Sequence, residues 1–127
     1  MKRDMDLIRE LMLKLEALPM RPGGIVHITP NAEEVQVDGY DVEQIGYHLS
    51  LIKEAGLVDT AGMRPMVGIG FRQLSWAGHD FLDSVRSPDV WDKTKQAATA
   101  AGGFTVELLV FAAKTYLEGK IKGLIGG

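Results

Sequence analysis

Cysteine is missing from all 127 residues, which excludes disulfide frameworks, thiolate metal centres and cysteine nucleophiles together. A reducing cytoplasm is the expected home. Long apolar runs are also missing: no stretch approaches the roughly 20 residues that a bilayer-spanning helix requires, so no membrane is expected among the partners. The opening segment MKRDMDLIRELMLKLEAL interleaves acids with bases and has no small-residue cleavage site, so it reads as a helix and not as a secretion signal. Positive charge is scarce. Fourteen Lys and Arg against 17 Asp and Glu leave a net charge of -3, whereas proteins that grip nucleic acid usually carry a basic stripe. Nor do the glycines form a phosphate cradle, since Gly68-Ile69-Gly70 lacks the third glycine and following helix of a dinucleotide fingerprint.

What is present is globular. Hydrophobic residues make up 46% of the chain and charged residues 24%, close to average for a folded domain. The length suits one hydrophobic core, and residues 1–127 are expected to form a single domain.

Met5, Ile8, Leu11, Met12, Leu15 and Leu18 recur at helical spacing, with Arg9, Glu10, Lys14 and Glu16 on the opposite side. This predicts an amphipathic helix that ends in the Pro19–Gly24 stretch. The β-branched runs at 25–28 and 35–37, around Thr29-Pro30-Asn31, predict short strands. A second helix is predicted from Val42 to about Ala55. Asp41 caps it, Gln44 completes a capping box, and Tyr40 is placed to staple onto Ile45. Val42, Ile45, Leu49 and Ile52 form its inward stripe, and Gly56-Leu57 ends it in a Schellman motif.

Residues 57–60 and 69–74 predict a β-hairpin around the loop AGMRPMVG. Ser75 caps a short helix with Phe81, Leu82 and Val85 inward, and Ser87-Pro88 starts another that runs to about Ala101. Trp76 and Trp91 are expected to cover the core, with a partner anchor as the other use of a large aromatic. After Gly102-Gly103, residues 104–119 predict a helix whose apolar surface nearly encircles it, through Val106, Leu109, Val110, Ala113 and Leu117 with Leu108, Phe111 and Ala112.

YHLSLIKEAGLVDT at 47–60 and FRQLSWAGHDFLD at 71–83 resemble the recognition helix, wing hairpin and following helix of bacterial winged-helix regulators. Together with MKRDMDLIR, GYDVEQIGYHLSLIKEAGL, LSWAGHDFLDSVR and VWDKTK, they are similar to an uncharacterised family of short bacterial and prophage proteins, a domain of unknown function. The resemblance runs over almost the whole chain and implies an α+β fold: a winged-helix-like core at 1–87 and a C-terminal helical extension at 88–127. The pattern departs from winged helices in one place, where strand-like sequence and Asp38-Gly39 replace the scaffold helix. Fold alone carries no activity with it.

If the second helix entered a major groove, Glu43, Gln44, Tyr47 and His48 would lie nearest the bases, and Arg64 and Arg72 would be the wing's phosphate contacts. Against this, residues 25–62 hold one basic side chain, Lys53, and seven acidic ones: Glu33, Glu34, Asp38, Asp41, Glu43, Glu54 and Asp59. A solvated or protein-binding face suits that charge better. His48, His79-Asp80 and Asp83 invite a metal-site reading, but no aspartate follows Asp92 and no third ligand is evident. Serines occupy caps or the amphipathic helix without a general base nearby, so no catalytic residue, metal or cofactor is expected.

Two modes of action follow for a non-catalytic regulator from a bacterium or prophage. In the first, it binds double-stranded DNA as a homodimer formed through the 104–119 helix; in the second, it binds a host or phage protein through its acidic face or that same helix. The resemblance favours the first and the charge distribution the second.

Overall fold

The computed structural model describes residues 1–100. The fold is α+β: helices α1 (Met5–Glu16), α2 (Val42–Glu54), α3 (Trp76–Val85) and α4 (Pro88–Ala100), with short strands β1 (Val26–Ile28), β2 (Val58–Asp59), β3 (Ile69–Phe71) and β4 (Gln73–Leu74). The chain divides into two compact units, Met1–His79 and Asp80–Gly127. The helix predicted at 104–119, with Val106, Leu109, Val110, Ala113 and Leu117, lies outside the described residues.

In the first unit, α1 begins where the Asp4 carboxylate accepts the N–H groups of Asp6 and Leu7, which the first turn of a helix leaves without partners. Leu7, Ile8, Leu11, Met12 and Leu15 of α1 are buried with Ile45, Leu49 and Ile52 of α2, and the two helices pack together. Each such aliphatic side chain contributes about 1.5–3 kcal/mol on full burial. Arg9, expected to be outward, is only 9% exposed and extends to Glu10 at 3.2 Å.

The strand expected at 35–37 does not form; a 3-10 turn at Glu33–Val35 takes its start and buries Val35 against α1. The two β-branched residues around Gln36 supply too short a run to hold a strand against that turn. The segment 69–74 also divides its pairing. β3 runs antiparallel to β1, with Val26 opposite Phe71 and Ile28 opposite Ile69, while β4 runs antiparallel to β2, with Val58 opposite Leu74. One returning segment therefore ties the first strand to the strand after α2.

α2 carries the predicted capping box: Asp41 accepts from the Gln44 N–H at 2.8 Å, and the Gln44 side chain accepts from the Asp41 N–H at 2.9 Å. Its Schellman end is also formed, by Gly56 N–H to Lys53 O, Leu57 N–H to Ile52 O and a φ of 71° at Gly56. Val42 departs from the predicted inward stripe and is 45% exposed. At the first turn of the helix it lies beyond the edge of the core.

The start of α3 is held on this turn. Ser75 donates its hydroxyl to Gly56 O and its N–H to Leu57 O, and its Oγ accepts the Gly78 N–H at 3.0 Å. Gly78 lies so near Leu57 that a Cβ there would come within 2.0 Å of the Leu57 carbonyl oxygen. Trp76, expected in the core, is 84% exposed. The anchoring of Ser75 leaves this first helical residue turned outward.

In the second unit, Phe81, Leu82 and Val85 are fully buried, as their spacing predicts. Ser87 begins α4 through its carbonyl, which accepts from Trp91 N–H at 2.9 Å, with Pro88 as the first helical residue. Val90, Trp91, Thr94 and Ala98 form its buried stripe.

Candidate functional site

On α2, the 3.6-residue period sets Glu43, Tyr47, Ser50 and Glu54 in one exposed stripe. His48 is not in it. It belongs to the opposite arc with Ile45, Leu49 and Ile52 and is 2% exposed. Its Nε2 accepts the Asp4 N–H at 2.8 Å, so the ring hydrogen is on Nδ1, which donates to Gln44 O at 2.7 Å. Gln44 is itself held in the capping box. Of the four residues expected at base edges, Glu43 and Tyr47 are exposed, and neither is basic.

The same contacts join the beginnings of two helices. Asp4, the cap of α1, accepts from the Tyr40 hydroxyl at 2.7 Å through its second carboxylate oxygen. That bond, then burial, then the negative charges of Asp4, Asp6 and Glu10 push the Tyr40 pKa up to about 12. Tyr40, the residue expected to staple onto Ile45, has its polar end bonded to Asp4.

Beside this network lies a depression of about 430 Å3, lined by Asp6, Glu10 and Lys14 of α1 and by Gln36, Val37, Asp38 and Tyr40. Three carboxylates and one ammonium group line it, with Glu10 also paired to Arg9. Beyond it, Glu33, Glu34, Asp41, Glu43 and Glu54 are all exposed. The excess of acid read from residues 25–62 is therefore a surface property, and α1 extends it. The sequence pattern did not join Asp6, Glu10 and Asp38 into one site, because the 3-10 turn that brings 36–40 to α1 has no strong signature.

The two arginines assigned to the wing differ. Arg64 is exposed, whereas Arg72 Nε lies 3.1 Å from Asp59 Oδ2 and is half-buried. Arg72 is thus spent on joining two strand segments. His79 and Asp83 are exposed, and among the described residues no group of three or more His, Asp or Glu side chains is arranged to hold a metal ion. No helix among them is long and apolar enough to cross a membrane.

Comparison with known proteins identifies the lineage. The family described as hypothetical protein DUF2513 matches residues 2–104, and the chain belongs to it. An uncharacterized protein of Haemophilus influenzae is 37% identical over 98 residues, covering 75% of this chain and 76% of the relative. No solved structure matches.

Proposed function

We propose that this protein is a non-catalytic regulatory module of winged-helix-like topology, acting in the cytoplasm of a bacterium or its prophage by binding a basic segment of a host or phage protein. The observation that carries the reading is the acidic depression between α1 and residues 36–40, where Asp6, Glu10 and Asp38 outnumber Lys14. A lysine- or arginine-bearing segment would find there both complementary charge and the apolar flank of Val37. The winged-helix part is supported by the order helix, strand, 3-10 turn, helix, strand, loop, strand, and by the pairing of the last segment with both earlier strands.

The test is fluorescence anisotropy with labelled arginine- and lysine-rich peptides at low and physiological salt, and acidic peptides as controls. Basic peptides should bind, and Asp6→Asn/Glu10→Gln/Asp38→Asn should weaken them by about tenfold or more. Equal binding by wild type and the triple variant would overturn the assignment.

DNA binding has two features in its favour, the winged-helix resemblance and the exposed Arg64 on the loop between β2 and β3. It is opposed by the burial of His48, the pairing of Arg72 and the acidic stripe on α2. Pooled duplex DNA in the same assay decides. Salt-sensitive binding lost in Arg64→Glu would establish the DNA mode; no binding at either salt is the expected result.

A further inference from the structure

Two exposed surfaces of the first unit are opposite in charge, and each carries exposed apolar side chains. One is formed by β1, β3 and the loop that precedes β3. Residues 19–32 and 60–75 contain no Asp, Glu or Lys in a chain with 17 acidic residues, and the β1–β3 pairing brings these two stretches together. Here Ile25, Val26, Met66 and Val67 are 48%, 37%, 102% and 59% exposed, half of the eight large hydrophobic residues exposed among those described. His27 joins strand to loop through the Val67 carbonyl at 2.7 Å. Arg21 and Arg64 are exposed on the same stretches. Arginine, methionine and branched aliphatics without acids or lysine are the composition of a protein–protein contact centre. Duplex DNA would require more cations and fewer exposed apolar groups.

The other surface is the α2 stripe, Glu43, Tyr47, Ser50 and Glu54, bordered by Val42. Tyr47 is 38% and Val42 45% exposed, so carboxylates here accompany an apolar strip. We propose that the protein self-associates, the β1–loop face of one copy covering the α2 stripe of a second copy. Arg64 and Arg21 then meet Glu43 and Glu54, while Met66 and Val67 cover Tyr47 and Val42. The contact uses neither the 104–119 segment nor the depression beside α1, so it stands apart from the peptide-binding reading.

The test is sedimentation velocity of the full chain from low to high micromolar concentration, at low and physiological salt. Wild type should associate, less so at high salt. Arg64→Glu/Met66→Asp breaks one face and Glu43→Arg/Tyr47→Ser the other; each should raise the dissociation constant by about tenfold or more. Mixing the two variants should restore association, because each retains the face the other lacks. Circular dichroism melts check that both variants fold, and the single change Arg64→Glu, rescued by Glu43→Arg in the partner, covers the case in which one does not. A wild type that stays monomeric throughout, variants that associate like wild type, or a mixture that stays monomeric would each overturn the proposal.

Discussion

The imidazole of His48 accepts the backbone N–H of Asp4 at 2.8 Å, so a side chain in the middle of α2 anchors the residue that starts α1. Asp4 in turn caps α1 and receives the Tyr40 hydroxyl. One histidine and one aspartate thereby connect the N-terminal turn, the segment before α2 and α2 itself. Replacing His48 with Phe keeps an aromatic ring but leaves the Asp4 N–H without its acceptor. Stability in a urea titration should fall by about 1–3 kcal/mol. Nitrogen chemical shifts of wild type should show the hydrogen on Nδ1; a ring protonated only on Nε2 would contradict the geometry.

Tyr40 gives the network an alkaline signature. Its pKa is pushed up to about 12, above the ordinary value of 10.0, first by the bond to Asp4 and then by burial. The fold prefers the neutral phenol, so this stabilisation is complete below about pH 10 and is lost as pH rises through about 12. In an ultraviolet titration Tyr40→Phe should remove the late-ionising phenol. The stability difference between wild type and Tyr40→Phe should shrink across the same interval, and a constant difference would remove the Asp4 bond from the account.

The end of α2 and the start of α3 depend on two glycines for different reasons. Gly56 adopts a φ of 71°, so Gly56→Ala should cost about 1–2 kcal/mol through backbone strain alone. Gly78 has an ordinary φ but no room, since an added Cβ meets the Leu57 carbonyl oxygen at 2.0 Å. Gly78→Ala should therefore cost about 3 kcal/mol or more, by displacing α3 from the turn that holds Ser75. Thermal melts of the two variants rank the effects, and a milder Gly78 variant would contradict the close approach.

Local chemistry explains which parts were legible in the sequence. Asp41, Gln44, Gly56 and Leu57 act on neighbours a few residues away, so the limits of α2 could be read directly. The α+β class followed from such elements. Long-range pairings could not be read in the same way: nothing local states that 69–74 would divide between two partners, or that Arg72 would be bound by Asp59. His48 had a usable signal. Positions 45, 48, 49 and 52 follow the helical inward pattern, and a polar residue in that series is expected to be hydrogen-bonded. The winged-helix resemblance points His48 to a base-reading face, whereas the helical period points it inward. The acidic depression was half legible, its charge in the sequence and its walls only in the fold.

Trp76 and Trp91 supply an optical test of the corrected placement. Both were expected in the core, yet Trp76 is 84% exposed and Trp91 only 5%. Emission should therefore have a red-shifted, acrylamide-quenchable component from Trp76 and a blue-shifted, protected one from Trp91. Trp76→Phe should abolish most quenching and change stability by no more than about 0.5 kcal/mol, as for other exposed substitutions. Trp91→Phe should leave the quenchable component and destabilise the fold measurably, because its buried surface shrinks. Equal protection of the two indoles in wild type would mean that Trp76 is covered in solution. If dilution then restored quenching at Trp76, the cover would be a second copy; if it did not, the cover would belong to the chain itself.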